Sequence, residues 1–131
     1  MAEDRFLEAA RRGYAAFDAG DMEAAMDVWA DEIIWHVGGN GPLAGTYHGK
    51  EEIMGMMGKL MEGTGGSFKM DVHDILTNGT HGVALVNVSA SRNGKSAEGR
   101  AVHIWHDNGG AQMTEFWSIG ENQAAFDALW D

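Results

Sequence analysis

Three residues in this chain have side chains suited to moving protons, namely His36, His103 and Glu115. Histidine has a reference pKa of about 6.5 and can act as a base or an acid near neutral pH with little adjustment. A carboxylate paired with a histidine is one way to build an acid/base site. The predicted chemistry is therefore proton transfer, with His36 and His103 as the acid/base pair and Glu115 orienting one of them.

Strand periodicity predicts where two of these side chains point. Alternate residues of a strand share one face, so His103 and Glu115 each share a face with two apolar neighbours. These neighbours are Ala101 and Trp105 for His103, and Met113 and Trp117 for Glu115. If the apolar neighbours face inward, the two polar side chains do so as well. His36 follows Trp35 and is predicted at the rim of the same pocket.

Each of the three residues also has a purely structural interpretation, which the sequence leaves open. His103 could be a core histidine bonded to a backbone carbonyl or to Tyr14. Glu115 could be an exposed strand residue of an acidic protein, and His36 could be a polar residue that ends an edge strand. The acid/base interpretation requires a pocket that all three side chains reach.

The predicted substrate-binding residues are aromatic or apolar. Indole combines a large apolar area with one N–H group that needs a partner, so tryptophan suits a core as well as a pocket. The residues assigned to substrate binding are Tyr14, Trp35, Trp105, Met113 and Trp117, whereas Trp29 and Trp130 are assigned to helix packing.

The elements that must position these residues follow from hydrophobic periodicity and turn residues. Helices are predicted over 3–18, 22–29, 50–62 and 121–130, and Asp21 is predicted to cap the second of them. Strands are predicted over 32–37, 68–76, 83–91, 97–106 and 112–119, with Asn-Gly pairs in the turns between the later strands. The glycine-rich stretch 38–49 is predicted to be a mobile loop in which Tyr47 and His48 could form a lid.

This order of elements predicts an α+β fold in one domain spanning 1–131. Helices come first, and four long antiparallel strands follow as a meander. We expect a cone-like, curved antiparallel sheet wrapped around the N-terminal helices, with an interior pocket. The pocket is expected to bind a small, mostly apolar organic ligand.

Composition narrows the classes of partner and chemistry. The formal net charge of -11 would repel a phosphate backbone, so no nucleic-acid partner is expected. The chain has no cysteine, and His103 and His106 are three apart on a strand and face opposite sides, so no metal site or cofactor is expected. No stretch has the ~20 apolar residues of a membrane span, and the acidic, amphipathic start does not resemble a signal peptide, which predicts a cytoplasmic protein with no membrane partner.

Several segments together resemble the SnoaL-like branch of the nuclear transport factor 2 superfamily, which also includes the ketosteroid isomerases. The segments are YAAFDAGDMEAAMDVWADEIIWHV, GPLAGTYHGKEEI, VHIWHDNGGAQMTEFW and NQAAFDALW, and they cover nearly the whole chain. The resemblance implies the cone fold. It leaves the activity open, because such cones host isomerases, cyclases, dehydratases, epoxide hydrolases and non-catalytic binding domains.

The ketosteroid isomerase mechanism is not implied by this resemblance. Those enzymes bind an oxyanion with a helix tyrosine and a protonated aspartic acid, and they use a second aspartate as base. The tyrosine position falls on Gly13, with Tyr14 one residue out of step, and the protonated aspartic acid falls on His103. The base position falls on Val37 or on His36, depending on a one-residue shift. In SnoaL-like cyclases, which this chain resembles more, an acidic or histidine side chain inside the cone is the expected acid/base.

Three functions follow as hypotheses. The first is a cofactor-independent enzyme of the cyclase, isomerase or dehydratase type. The second is a non-catalytic domain that binds or senses a small molecule. The third is an assembly role, because relatives commonly form homodimers through the outer face of the sheet, to which Val86 and Val88 could contribute.

Overall fold

A six-stranded sheet forms the frame of the structure, with strand order β2-β1-β6-β5-β4-β3. The computed structural model of the protein describes residues 2–131, with side chains from residue 5 onward. In chain order the elements are α1 (Ala2–Asp18), α2 (Met22–Met26), β1 (Trp29–Val37), β2 (Gly45–His48), α3 (Gly49–Gly63), β3 (Lys69–Thr77), β4 (His81–Arg92), β5 (Lys95–Asp107), β6 (Met113–Gly120) and α4 (Gln123–Ala128).

The predicted meander is confirmed: β3, β4, β5 and β6 pair in sequence as antiparallel neighbours. The turn between β4 and β5 consists of Asn93 and Gly94, whose φ angles of 52° and 82° are both positive. Two such residues make the tight turn whose twist matches that of the flanking strands. β1 then pairs in parallel with β6, which brings the N-terminal strand beside the C-terminal one.

Two predicted elements differ from the structure near the N-terminus. The sequence predicts Trp29 in the second helix, but it is the first residue of β1 and pairs with Met113. α2 is a single turn that Asp21 caps as predicted, through a 3.2 Å bond accepted from the amide of Ala24. The stretch predicted as a mobile loop contains β2, in which Tyr47 lies opposite Trp35 at the edge of the sheet.

The helices cover the concave face of the curved, unclosed sheet, as the α+β cone prediction requires. α1 packs against β3, and α3 packs against β1. The shared core contains the residues Ala9, Ala10, Val28, Trp29, Ile33, Trp35, Ile53, Met56, Met57, Ile75, Ala84, Val86, Ala101, Trp105, Met113 and Phe116. In the described part of the chain, no helix has the length and apolar character needed to cross a membrane.

A β-bulge in β6 decides which of its side chains face the core. His106 pairs with Glu115 and Asp107 pairs with Met113, so Thr114 is an extra residue opposite β5. An extra residue reverses the alternation of faces beyond it. Met113 therefore faces inward before the bulge, and Phe116 faces inward after it. The expectation that Glu115 shares an inward face with Met113 is wrong for this reason.

Candidate active site

A cavity of about 190 Å³ lies between the helices and the concave face of the sheet. Its wall is mostly apolar, and four of its side chains are methionines, which adapt their shape to what they contact. Apolar lining residues include Phe17, Val28, Trp29, Trp35, Val37, Leu43, Met56, Met57, Met70, Met113 and Phe116. The few polar side chains that reach this wall are therefore the groups that can act on a bound molecule.

Tyr14 and His103 form a hydrogen-bonded pair on the cavity wall. The Tyr14 hydroxyl lies 2.6 Å from Nδ1 of His103, and the two rings stack with an interplanar angle of 14°. His103 is only 5% exposed. Burial lowers the pKa of His103 to about 4 and raises the pKa of Tyr14. Both groups are therefore neutral at neutral pH.

The neutral state leaves two arrangements of the protons in this pair. Either Tyr14 donates its hydroxyl hydrogen to Nδ1 and the ring proton of His103 is on Nε2, or Nδ1 carries the proton and donates it to the Tyr14 oxygen. Nε2 has no hydrogen-bond partner among the described residues, and no fully buried polar side-chain atom there lacks a partner. Nε2 is therefore open to the cavity. One of the two interpretations of His103, a core residue bonded to Tyr14, is correct, and the same residue also lines the cavity.

Aromatic residues behind the pair hold it in place. Trp105 packs against Tyr14, with ring centroids 6.3 Å apart, and Phe116 packs against His103 at 4.9 Å. Trp105 itself lies against Gly82 on β4, where the absence of a side chain leaves room for the indole. Trp105 is buried behind Tyr14 and is not part of the cavity wall. The prediction that it contacts the substrate is therefore wrong, and it supports Tyr14 instead.

The other expected wall residues divide between the two faces of the sheet. Tyr14, Trp35 and Met113 line the cavity as predicted. Trp29 also lines it, whereas the sequence predicts a role in helix packing. Trp117 does not, because the bulge at Thr114 turns it outward. Phe116 occupies the inward position instead and stacks on Trp35 at 3.7 Å. Strict alternation through β6 would place Phe116 on the outer face, so strand periodicity alone cannot identify it as a cavity residue.

His36 and Glu115 meet on the outer face of the sheet, away from the cavity. Nε2 of His36 lies 2.7 Å from a carboxylate oxygen of Glu115, and Nδ1 lies 3.0 Å from the hydroxyl of Thr46. The ring of His36 also stacks on Trp117. The predicted pairing of Glu115 with a histidine is confirmed. The predicted access of both residues to the pocket of His103 is wrong, because Trp35 and Val37 take the inward positions of β1.

The same arrangement identifies the cavity-facing residue at the base position of the ketosteroid isomerases. Val37 lines the cavity, whereas His36 lies on the opposite face. A valine cannot accept a proton. Among the described sheet residues that line the cavity, the titratable ones are His103 and Arg100, and Arg100 is paired with Glu121. His103, which has no such ion pair, is therefore the candidate for proton transfer on this wall.

Two further histidines extend the cluster on the outer face. The ring of His106 packs edge-on against Trp117, and its Nδ1 is 3.8 Å from Glu115. His81 packs against His106 with ring centroids 4.7 Å apart. The residues described by the structure include no group of three or more histidine, aspartate or glutamate side chains arranged to hold a metal ion.

The loop between β1 and β2 is fastened over the cavity by α4. The amide of Asn40 donates to Asp127 at 2.8 Å, and Gln123 donates to the other carboxylate oxygen at 2.9 Å. Partial burial would raise the pKa of Asp127, but bonds from Asn40, Gln123 and Gly41 outweigh it and lower that pKa. Tyr47 donates its hydroxyl to the carbonyl of Leu43 within the same loop. The sequence contains no local signal for the contact with Asp127, because the partners are 87 residues apart.

A curved sheet wrapped on helices around an interior cavity defines a fold of the nuclear transport factor 2 class. The chain matches the model of the SnoaL-like domain over residues 10–116, and it belongs to that family. This confirms the resemblance noted in the sequence.

Comparison with known proteins gives relatives over the whole length of the chain. An uncharacterized protein of Mycobacterium tuberculosis (strain H37Rv) is 28% identical, with 99% of each chain covered. The structure of Bal32a, from a soil-derived mobile gene cassette, has a TM-score of 0.93 and 25% identity, with 100% of each chain covered. The structure of TerC co-crystallized with polyporic acid has a TM-score of 0.83 and 22% identity, covering 95% of this chain and 97% of that one. The last of these likenesses concerns the fold alone.

Proposed function

We propose that this protein is a cofactor-independent enzyme that transfers protons on a small, mostly apolar organic molecule, as an isomerase, cyclase or dehydratase does. The observation that carries the proposal is the buried Tyr14–His103 pair with Nε2 open to an apolar cavity. Perturbed titratable groups in a cleft are characteristic of acid/base sites. TerC, a protein of the same fold, has been co-crystallized with polyporic acid, which is consistent with an organic ligand in such a cavity.

In this proposal His103 is the group that takes and returns the proton. The Tyr14 hydroxyl can donate to Nδ1 or accept from it, so it supports both neutral tautomers of the imidazole. When Nδ1 carries the proton and donates to Tyr14, the lone pair of Nε2 faces the cavity. Nε2 can then accept a proton from the substrate, and the imidazolium that forms remains bonded to the Tyr14 oxygen.

The size of the cavity limits the substrate. Apolar cavities of about 150 Å³ bind benzene. A cavity of about 190 Å³ therefore accommodates a molecule of one or two rings. Its methionine-rich wall favours apolar molecules of somewhat different shapes over one rigid outline.

Deuterium exchange tests this proposal without knowledge of the natural substrate. The ketone 2-indanone is incubated with the protein in D₂O, and NMR follows the replacement of its α-hydrogens. We expect the wild type to accelerate exchange and His103→Gln to remove the acceleration, because glutamine still accepts a bond from Tyr14 but does not take a proton. His106→Gln, the same substitution on the outer face, is the matched control and should leave the rate unchanged.

The alternative function is non-catalytic binding, and one observation favours it. The lowered pKa of His103 makes its imidazole a weaker base than an ordinary histidine. Binding of 2-indanone detected by fluorescence of the cavity tryptophans, without any accelerated exchange, would establish the binding domain and overturn the enzyme.

We further propose that the protein is a homodimer through the outer face of the sheet. That face exposes Leu85 and Ile119, which are 36% and 56% exposed. The same face carries Trp117, whose ring stacks on His36. Val86 and Val88, expected in this interface, are not available to it, because Val86 is buried and Val88 lines the cavity.

Light scattering after size-exclusion chromatography tests the dimer. We expect a dimer for the wild type and a monomer for Ile119→Lys, since a lysine at the centre of an apolar interface is strongly unfavourable. Met61→Lys places the same charge on an exposed position of α3 and should leave the dimer intact. A wild type that is monomeric at high concentration contradicts this proposal.

A further inference from the structure

Ser118 lies directly opposite His103 on the cavity wall. The two residues are register partners in the antiparallel pairing of β5 and β6, and both line the cavity. Side chains of such partners start about 5 Å apart on the same face of a sheet. The side chains of Ser118 and His103 therefore enter the cavity next to each other.

The hydroxyl of Ser118 is available to a ligand. Among the described residues it has no hydrogen-bond partner, and it is not sealed from the cavity, since no fully buried polar side-chain atom there lacks a partner. Other neutral polar side chains of the wall are bonded within the protein. Thr64 donates to Leu60, Asn122 donates to Glu98, and Gln123 donates to Asp127.

We infer that Ser118 binds the carbonyl oxygen of the substrate, and that the substrate class is a neutral carbonyl compound with a hydrogen on the carbon next to the carbonyl. The inference rests on the proposed function of the cavity. A carbonyl oxygen and its α-carbon lie close together in one molecule and can point towards two different side chains. One molecule can therefore meet Ser118 and His103 together.

The two residues then act on the two ends of one O=C–C unit of the substrate. Nε2 of His103 takes the proton from the α-carbon, and the electron pair of the C–H bond moves to the carbonyl oxygen as an enolate. The Ser118 hydroxyl donates to that oxygen as its negative charge develops. The proton returns from Nε2 to carbon, either to the original position or to another one along a conjugated system. The step needs no oxidant, reductant or second reactant.

The surroundings favour a neutral carbonyl over a carboxylate. One neutral hydroxyl and one neutral imidazole do not compensate the burial of a full negative charge in an apolar cavity. The chain has a formal charge of -11, which adds to the repulsion of anions. A ketone offers the acceptor that Ser118 needs without this penalty.

A matched pair of ligands tests the assignment. 2-Indanone carries a carbonyl group where 2-methyleneindane carries a methylene group of similar shape. Binding of each is measured by tryptophan fluorescence for the wild type, Ser118→Ala and Ser118→Thr. We expect Ser118→Ala to weaken binding of the ketone about tenfold and to change binding of the alkene less than twofold. Ser118→Thr retains a hydroxyl and should restore most of the preference.

Exchange kinetics give the second measurement. Ser118→Ala should slow α-deuterium exchange of bound 2-indanone by about 10- to 100-fold, because the enolate loses its donor. A variant that weakens both ligands equally, or neither, overturns the role of Ser118 while the cavity remains a ligand site. Failure of the wild type to bind either ligand overturns the proposed function itself, and the inference with it.

Discussion

The Tyr14 hydroxyl lies 2.6 Å from Nδ1 of His103, although the two residues are 89 positions apart in the chain. One comes from the first helix and the other from the centre of the sheet, so the bond forms only when α1 docks on β5. The bond also leaves Nε2 as the nitrogen that faces the cavity. The Tyr14–His103 bond therefore affects both the stability of the fold and the orientation of Nε2, and each effect can be measured separately.

Removing the hydroxyl of Tyr14 tests the stability of this contact. Tyr14→Phe leaves Nδ1 of a buried histidine without its partner, and we expect the free energy of unfolding to fall by about 1–3 kcal/mol. The measurement is urea unfolding at pH 7. Tyr47→Phe is the matched control, because that hydroxyl bonds Leu43 in a less buried position and its loss should have a smaller effect. Equal losses in both variants would contradict a special contribution of the Tyr14–His103 bond.

The lowered pKa of His103 also predicts how the stability of the fold changes with pH. Its folded-state pKa is about 4, below the ordinary value of 6.5. Between these values the unfolded chain binds a proton that the folded chain does not, so stability is lost as pH falls from about 6.5 towards 4. The contribution is on the order of 3 kcal/mol. Urea unfolding of the wild type and His103→Gln at pH 7 and pH 4 should show the variant losing less stability by that order, and parallel losses would contradict the lowered pKa.

The support behind Tyr14 can be tested through Gly82. A methyl group added there would collide with the indole of Trp105, so Gly82→Ala must displace a buried ring. We expect a loss of about 1–3 kcal/mol, as for other overpacked cores. Gly55→Ala places the same methyl on α3, where nothing lies within 4 Å, and it should be neutral or stabilising by up to about 1 kcal/mol. Thermal unfolding of both variants measures the contrast, and a tolerated Gly82→Ala would mean that Trp105 is not held there.

The contacts of Asp127 predict that the loop at the mouth of the cavity is held less firmly at low pH. Its lowered pKa means that the folded protein favours the carboxylate that accepts from Asn40 and Gln123. This stabilisation is present above the ordinary pKa of an aspartate and is lost as pH falls through the lowered one. Asp127→Asn should speed amide hydrogen exchange at Asn40 and Gly41 and speed ligand release. Asp71→Asn, at an exposed position of β3, is the control, and unchanged exchange in Asp127→Asn would show that the loop is held by other contacts.

Much of this fold could be predicted from local pattern. The Asn93-Gly94 turn and the alternation through β5 identify the meander and place His103 inward, because both signals depend on neighbours in sequence. The parallel pairing of β1 with β6 and the short edge strand β2 could not be predicted in the same way. They depend on contacts between distant segments, which periodicity does not record.

The site was predicted in part for a related reason. A single extra residue, Thr114, reverses the faces of β6, and nothing in its own residue type signals a bulge. Strict alternation therefore places Glu115 and Trp117 on the cavity side, and it places Phe116 and Ser118 on the outer face. His103 lies before this irregularity on an unbroken strand, which explains why its inward position follows from the sequence.

The contact between His36 and Glu115 provides the last prediction, because it separates the two faces of the sheet. Glu115→Gln keeps a hydrogen-bonding side chain but removes the charge, and both partners are 30% exposed. We expect the loss of stability to be at most about 1 kcal/mol, as for ion pairs in contact with solvent. Exchange of 2-indanone should be unaffected, since the carboxylate does not reach the cavity. The measurements are urea unfolding and α-deuterium exchange by NMR, with Ser118→Ala as the cavity-side comparison on the same strand. If Glu115→Gln slowed exchange as much as Ser118→Ala, the outer cluster would take part in catalysis, and the separation that the bulge produces would not hold in the working protein.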